Sequence, residues 1–245
     1  DISACRDNLN MLIKVMGDID KSADTSKWQE LEKNLPPYLY DETGALKEWA
    51  TTSFVENNKH RHLSHLYGVW PLFETQGNDE LTKACEQAIA NRQSENEASH
   101  ALVHRSLIAT RLKDSDSLTD ALVKLMNHKI RYDSLMTNHD YDQGSCYCTD
   151  FAIGYLGIIN ESLVYSHNND IEFLPALPNS GFENGTLKGI KTRNRATVTE
   201  LKWADGGKTI SATVTSDIDQ KLNIKAGGKS QTVEFKAGES KTFRF

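Results

Sequence analysis

The spacing of apolar residues changes near residue 168, and this change constrains the fold more than any other feature of the chain. Before it, apolar residues recur every three or four positions, as in Leu9, Leu12 and Met16, which is the spacing of an amphipathic helix. After it, they alternate with polar residues in runs rich in Val, Ile, Thr and Phe, the pattern of half-buried strands. The sequence therefore predicts a helical domain over residues 1–168 and an all-β domain over residues 169–245.

Several segments of the helical region carry apolar residues at helical spacing. Asn78-Asp79 and Asp114-Ser115 stand just before two of them and are residue types that cap helices. The predicted helices cover residues 7–16, 63–70, 79–89, 98–112, 115–125 and 151–164. Short connections between them favour antiparallel neighbours, as in bundles and in toroids of helical hairpins.

The sheet region contains short period-two segments separated by turn sequences. Asp205-Gly206-Gly207 and Gly227-Gly228 suit hairpin turns. The predicted strands cover residues 171–174, 197–203, 209–214, 222–224, 231–235 and 242–245. Strands at this spacing predict an antiparallel sandwich or barrel-like unit.

Composition and charge exclude several classes of partner. No apolar run approaches the roughly 18 residues that a membrane span requires. Lys and Arg are scattered and the net charge is −6, so the chain lacks the basic footprint of proteins that bind nucleic acid or anionic lipid. We therefore predict a small molecule or another protein as partner, with no nucleic acid, no membrane and no cofactor.

The first residues read as the interior of an amphipathic helix, without an initiator methionine or a signal peptide. We therefore expect the sequence to be the C-terminal portion of a longer polypeptide.

The densest polar segment runs from Lys59 to Tyr67 and contains three histidines and an arginine. Arg61 beside His62 at the start of a predicted helix suits a hydroxyl-rich ligand, because a guanidinium offers several donors and a helix start offers free N–H groups. In one alternative the histidines are hydrogen-bonded parts of the core. In another, His62 and His65 share a helical face as a zinc pair, although no glutamate completes the usual metalloprotease spacing.

A second polar cluster surrounds Asp150, which directly precedes an apolar predicted helix. Its carboxylate has either a catalytic role, activating water at the mouth of a pocket, or a structural role as the N-cap of that helix. Cys146 and Cys148 with His139 form a conceivable zinc site, which would imply a zinc-dependent hydrolase. We predict ordinary thiols and no metal site instead.

Two neighbouring segments, Gly44-Ala45-Leu46-Lys47-Glu48-Trp49 and His60-Arg61-His62-Leu63-Ser64-His65-Leu66-Tyr67-Gly68, resemble glycoside hydrolase family 95. That family contains inverting α-L-fucosidases and relatives that act on α-L-galactosides. Residues 109–114, the helix that follows Asp150, and residues 171–178 resemble the family in the same order. The resemblance implies an α+β chain: the second half of an (α/α)6 toroid followed by an all-β antiparallel domain.

The resemblance also implies roles for particular residues. Arg61 and His62 match positions that contact the sugar, and we expect His60 and Trp49 to join them in binding substrate. Asp150 matches the aspartate that helps to activate the attacking water. The family's D-G-N-F-G motif reads Asp-Phe-Ala-Ile-Gly here, and Gly144 stands where the family usually has a pocket histidine.

These correspondences predict an inverting α-L-fucosidase-like hydrolase, secreted or at the cell surface, that acts on a fucosylated or L-galactosylated glycan. The family's general acid lies upstream of the segment that resembles the start of this chain, so we expect residues 1–245 alone to be inactive and to pair with their own N-terminal segment or with another copy. The alternative is a non-catalytic carbohydrate-binding or structural remnant of the fold. We also expect Arg61, His62 and Asp150 to lie around one concavity.

Overall fold

The computed structural model describes residues 2–92, 98–126, 137–139 and 146–245. Contacts divide the chain into two compact units, residues 1–96 and 97–245. The change from helix to strand lies inside the second unit, between Leu163 and Val164. The predicted order of helices followed by a sheet-rich region is confirmed, whereas the toroid remains a prediction.

The first unit contains helices joined by long connections. Asn78 caps its last helix by accepting a hydrogen bond from the N–H of Leu81 at 3.1 Å, as its residue type predicted. The helix over residues 26–33 was not predicted, because Trp28 and Leu31 are its only large apolar residues. The described helices of this unit are α1 (Ile2–Ile19), α2 (Ser26–Lys33), a 3-10 helix (Ser64–Gly68) and α3 (Asp79–Asn91).

The predicted α-helix over residues 63–70 is wrong, since only the short 3-10 helix Ser64–Gly68 forms there. Pro71 lacks the N–H that would continue a helix. The chain also folds back at Gly68, where an added Cβ would lie 2.6 Å from Oε2 of Glu74. His62 therefore precedes the helix, so His62 and His65 do not share a helical face and the expected helix start beside Arg61 is absent.

The second unit begins with three helices, α4 (Ser99–Leu112), α5 (Ser115–Leu125) and α6 (Thr149–Leu163). Asp114 caps α5 as predicted, accepting from the N–H of Ser117 at 2.9 Å. Helix α4 packs on both α5 and α6, and nearly all of its residues are buried. Gly154 allows α6 to approach α4 closely, because an added Cβ would lie 2.6 Å from Cγ1 of Val103.

Two sheets follow these helices and enclose one apolar core. Their strand orders are β1-β2-β7-β8 and β3-β5-β6-β9, with β4 pairing β5 at the side. Ile171, Leu222, Leu201 and Val214 are fully buried in the core between them. The strands are β1 (Val164–His167), β2 (Asp170–Phe173), β3 (Gly185–Leu187), β4 (Ile190–Lys191), β5 (Ala196–Ala204), β6 (Thr209–Ser216), β7 (Gln220–Ala226), β8 (Lys229–Phe235) and β9 (Ser240–Arg244).

The hairpin turns predicted at Asp205-Gly206-Gly207 and Gly227-Gly228 are confirmed, since they join β5 to β6 and β7 to β8. The predicted antiparallel pairing is found for the other strand pairs, but β2 and β7 pair in parallel from Asp170 opposite Asn223 to Phe173 opposite Ala226. The chain passes through the other sheet between these two strands, and such a long crossover returns the second strand in the direction of the first. Among the described helices, none has the length and apolar character needed to cross a membrane.

A buried carboxylate joins the helices of the second unit to its sheets. Oε2 of Glu161, on α6, accepts from Nε of Arg111, on α4, at 3.0 Å. Oε1 of Glu161 accepts a short hydrogen bond from Nη2 of Arg193. The backbone N–H of Arg193 donates to Oγ of Ser166 at 2.9 Å. The Arg111 side chain is 1% exposed and that of Glu161 is 9% exposed. A buried ion needs such complete pairing, because its desolvation costs several kcal/mol.

Glu161→Gln is expected to destabilise the second unit by about 3 kcal/mol, because it leaves the buried Arg111 guanidinium without its counter-ion. Urea unfolding followed through amide hydrogen exchange of β5 and β6 measures this change. The matched control is Glu172→Gln, which breaks the ion pair of Glu172 with the 44% exposed Lys113 side chain and should cost less than about 1 kcal/mol. Equal losses in the two variants would contradict this account.

Gly154→Ala is expected to destabilise the second unit by about 1–3 kcal/mol, because the new methyl group meets the stiff side chain of Val103. Gly17→Ala is the matched control, since an added Cβ there has open space within 4 Å. It should stabilise α1 by up to about 1 kcal/mol through helix propensity. Thermal unfolding of both variants checks the prediction, which fails if Gly154→Ala is neutral or stabilising.

Candidate functional site

The first unit contains a pocket of about 320 Å³ between the start of α1 and the segments 37–39, 47–50 and 64–67. Its volume lies at the lower end of the range of small-molecule sites. Both segments that carry the family resemblance contribute to its wall. The polar and aromatic side chains used below are Tyr38, Lys47, Glu48, Trp49 and His65.

Local backbone bonds place Trp49 at this pocket. Gly44, at φ +81°, closes a turn, and the chain then runs extended, with the N–H of Leu46 donating to the carbonyl oxygen of Ala84 at 3.0 Å. Leu46 is buried, which anchors the segment to α3. Trp49 follows with 44% of its surface exposed, and the ring of Phe54 meets its ring edge-on at 5.4 Å between centroids.

The guanidinium of Arg92 ties three segments of the first unit together. Its Nη1 donates to the carbonyl oxygens of Asn57 at 2.7 Å and His60 at 3.1 Å. Its Nη2 lies 3.2 Å from Oε2 of Glu48 and 3.3 Å from Nδ1 of His65. The Arg92 side chain is 2% exposed, so these contacts replace the hydration of Nη1 and Nη2. Its buried Nε has no hydrogen-bond partner among the described residues.

The contact with Arg92 determines which nitrogen of the His65 ring bears the proton. A guanidinium only donates, so Nδ1 of His65 accepts and the ring proton resides on Nε2. Burial, with a smaller contribution from the charge of Arg92, lowers the pKa of His65 to about 3. His65 is therefore a neutral side chain in a single tautomer.

The acidic side chains near the pocket are also paired. Oε1 of Glu56 lies 3.2 Å from Nζ of Lys47, and its Oε2 accepts from the backbone N–H of Glu48 at 2.7 Å. At the far wall, burial and a short hydrogen bond to Glu74 raise the pKa of Tyr38 to about 12. The charges around the pocket thus compensate one another.

One of the four predicted sugar-binding residues lies at this pocket. Trp49 lines the pocket, whereas His60, Arg61 and His62 form a turn that does not contribute to its lining. The N–H of His62 donates to Nδ1 of His60 at 3.2 Å, and their rings lie 4.8 Å apart. Among the described residues, the buried Nε of Arg61 has no hydrogen-bond partner.

Asp150 is the second residue of α6, and Cys148 is the N-cap. The alternative prediction that Asp150 is the N-cap is therefore wrong. An N-cap at Asp150 would require the helix to begin at Phe151, but it begins at Thr149. The carboxylate is exposed, and Sγ of Cys148 lies 3.9 Å from its Oδ2. A carboxylate in the first turn interacts favourably with the helix dipole.

Two short segments brace the start of α6. The N–H of Cys148 donates to the carbonyl oxygen of Thr137 at 3.1 Å, and Asn138 forms a β-bridge with Tyr147. These contacts fix the backbone just before Asp150. Gly144, the position of the family's pocket histidine, lies outside the described residues.

The four cysteines are free thiols, with Cys85 and Cys148 buried and Cys5 and Cys146 exposed. Burial raises the pKa of the Cys85 thiol to about 12. Within the described ranges, no three His, Cys, Asp or Glu side chains gather as metal ligands. The zinc alternatives at His62 and at Cys146 and Cys148 thus gain no support from that part of the chain.

Sequence reasoning missed Arg92 and the role of His65. Arg92 follows α3, outside the segments that resemble the family, and only its position after an apolar helix hinted at burial. Arg61 and His62 belong to the first unit and Asp150 to the second. Their expected arrangement around one concavity stays a prediction.

Comparison with known proteins places both the helical and the sheet-rich part of the chain in one class, the glycoside hydrolases. The model of the "Glycosyl hydrolase family 95 catalytic domain" matches residues 1–163. The model of the "Glycoside hydrolase family 95, C-terminal domain" matches residues 165–244. The chain belongs to glycoside hydrolase family 95.

Similar curated proteins include "Alpha-L-fucosidase 2" of Arabidopsis thaliana, 28% identical over 84% of this chain and 25% of that protein. "Probable alpha-fucosidase A" of Aspergillus niger is 27% identical over 86% of this chain and 28% of that protein. The chain thus spans about a quarter of the length of these relatives. A solved structure titled "Putative kojibiose phosphorylase from human microbiome" has a similar fold, with a TM-score of 0.54 and 12% identity over 98% of this chain and 38% of that one.

The low pKa of His65 predicts a pH dependence of stability. The unfolded state binds a proton below about pH 6.5 and the folded state only near pH 3, so the free energy of unfolding falls as the pH falls between these values. From pH 7 to pH 5 the loss due to His65 is about 2 kcal/mol. His65→Gln, which keeps an acceptor for Arg92, should remove this part of the pH dependence.

Urea unfolding at pH 7 and pH 5, followed through amide exchange in α3, measures the effect. His60→Gln is the matched control, since it replaces another histidine of the same segment. If both variants reduce the pH dependence equally, the effect does not arise from the buried contact between His65 and Arg92.

Proposed function

We propose that this chain forms the C-terminal part of an inverting α-L-fucosidase-like glycoside hydrolase that acts on fucosylated or L-galactosylated glycans. The observation that carries the proposal is the match of both family 95 domains along the chain, together with relatives named as fucosidases. In this proposal the helices form the second half of an (α/α)6 toroid. The exposed carboxylate of Asp150 and the exposed ring of Trp49 support it, because both are open to a ligand.

In the proposed reaction, Asp150 acts as the general base. It accepts a proton from the water that attacks the anomeric carbon, while a carboxylic acid on the opposite face of the sugar protonates the leaving oxygen. We assign this acid to a part of the parent polypeptide outside this sequence. The acids nearest the pocket suit the role less well, because Glu56 uses both oxygens in contacts and Glu48 pairs with Arg92.

Arg61, His62, His60 and Trp49 are proposed to bind the sugar. A guanidinium beside an imidazole offers donors to several hydroxyl oxygens. The indole ring of Trp49 offers a flat apolar surface to the C–H face of a sugar ring.

The proposed partner of this chain is the remainder of its parent polypeptide or a second copy. Apolar side chains on two helices support this, because large exposed apolar surfaces are usually interaction sites. On α1 Met11, Val15 and Ile19 are 57%, 45% and 82% exposed, and on α6 Ile153 and Leu156 are 75% and 68% exposed.

A non-catalytic carbohydrate-binding or structural role is the second candidate. It is favoured by the Asp150–Gly154 segment, which keeps only the first and last residues of the family motif. Ile153, which stands at the motif's aromatic position, is 75% exposed. Binding of a fucosylated glycan by the parent polypeptide without turnover would identify this role.

Assay of 4-nitrophenyl α-L-fucoside tests the enzymatic proposal. We expect turnover by the parent polypeptide, none at a useful rate by residues 1–245 alone, and a loss of about 10²–10⁴-fold in kcat for Asp150→Asn in the parent. Proton NMR during the first turnovers should show β-L-fucose, the inverted product.

Asp79→Asn is the matched control, because Asp79 is also an exposed aspartate in the first turn of a helix. It should leave kcat unchanged. Equal activity of Asp150→Asn and the parent would refute the role of Asp150. Strong turnover by residues 1–245 alone would place the general acid within this chain, and Glu48 and Glu56 would be substituted first.

A further inference from the structure

We propose that Asn184 carries an N-linked glycan when the parent polypeptide is made in a secretory compartment, and that Asn160 in the same chain does not. Such a glycan is independent of hydrolysis and requires only the secreted or cell-surface location expected for the parent. Both asparagines begin the acceptor pattern of N-glycosylation, Asn-X-Ser/Thr. The two segments are Asn160-Glu161-Ser162 and Asn184-Gly185-Thr186.

The segment at Asn160 belongs to the packing of α6. Its middle residue, Glu161, pairs with Arg111 and Arg193. Its hydroxyl residue, Ser162, is 0% exposed, and Oγ of Ser162 donates to a backbone carbonyl oxygen of the same helix at 2.9 Å. The pattern includes the hydroxyl residue, so the transferring enzyme must reach both ends of the segment. At Asn160 this requires α6 to unwind and leaves buried polar groups without partners.

The segment at Asn184 lies on the surface, where β3 begins. Asn184 and Thr186 are both exposed. Gly185 between them faces the buried Trp203, because an added Cβ would overlap the indole ring. Successive side chains alternate between the two faces of a strand, which leaves the neighbours of Gly185 toward solvent. β3 is also the end strand of its sheet, and among the described strands only β5 pairs with it.

A backbone hydrogen bond determines which atom of the Asn184 amide is available. The N–H of Asp205 donates to Oδ1 of Asn184 at 3.2 Å. A backbone N–H cannot accept, so this bond assigns the oxygen to Asp205 and leaves Nδ2 as the other terminal atom. Nδ2 makes no hydrogen bond to the described residues, and it is the atom that N-glycosylation modifies.

The loop before Asn184 is held in place and borders an open space. Nε1 of Trp203 donates to the carbonyl oxygen of Phe182 at 2.7 Å. The N–H of Gly206 donates to the carbonyl oxygen of Glu183 at 2.9 Å. Phe182, Glu183 and Gly206 also line a pocket of about 310 Å³. This opening begins one residue from Asn184 and leaves room for the first sugar of a glycan.

The modification is a group transfer from a lipid-pyrophosphate-linked oligosaccharide. A bond forms between Nδ2 of Asn184 and C1 of the first N-acetylglucosamine, while the bond from C1 to the pyrophosphate oxygen breaks. The electron pair of the broken bond leaves with the lipid pyrophosphate, and Nδ2 loses one proton. The amide carbonyl is unchanged, so Oδ1 continues to accept from Asp205.

Secretion of the full 245-residue chain from eukaryotic cells, directed by an added signal peptide, tests the proposal. Peptide N-glycosidase in heavy-oxygen water converts each occupied asparagine to a labelled aspartate, which peptide mass spectrometry locates. Labelling should be at least about tenfold higher at Asn184 than at Asn160, because the segment at Asn160 becomes accessible only when α6 opens. Translation of the same precursor into microsomes measures acceptance directly if little of the chain is secreted.

Thr186→Ala should abolish the glycan at Asn184, because it removes the hydroxyl that completes the pattern, and Thr186→Ser should restore it. Both variants keep Asn184 and its bond to Asp205, so they separate loss of the acceptor pattern from disruption of the turn. Asn160→Gln is the matched control and should leave the glycan in place. Absence of label at Asn184, equal labelling of the two asparagines, or an unchanged glycan in Thr186→Ala would each overturn the proposal.

Discussion

The guanidinium of Arg92 is the interaction on which the candidate site of the first unit depends. It contacts two carbonyl oxygens, a carboxylate and an imidazole nitrogen from segments far apart in the chain. A buried guanidinium needs partners for most of its donors, and Arg92 has them at Nη1 and Nη2, while its Nε has none among the described residues. The pairing therefore determines the positions of Glu48 and the loop at Asn57, and it selects the tautomer of His65.

The second unit uses the same kind of interaction for a different purpose. Glu161 accepts from Arg111 and Arg193, and these three residues connect two helices to the turn before β5. Arg111 and Glu161 lie in segments that resemble the family, yet their contacts are structural. Gly68 and Gly154 likewise serve close packing. Part of the family's sequence pattern thus encodes the packing around the site rather than its chemistry.

The errors of sequence reasoning have physical causes. The apolar spacing of residues 63–70 resembles a helix, but Pro71 and the close approach of Gly68 to Glu74 limit it to one short 3-10 turn. The parallel pairing of β2 with β7 results from a crossover through the other sheet. The alternation of apolar and polar residues along a strand does not indicate which strand it will pair with. Trp49 and His65 lie in segments that resemble the family, whereas the start of α1 and residues 37–39, which complete the pocket wall, come from parts of the chain without a shared pattern.

The sequence by itself determined the order of helices and strands, the caps at Asn78 and Asp114, the glycine turns and the family, because each of these depends on residues close together in the chain. Only the tertiary structure decided which charges pair, which strands are parallel, and which nitrogen of His65 bears the proton. Those properties depend on burial and on contacts between distant residues. Arg92 and Glu48 are 44 positions apart, and only folding brings them together away from water.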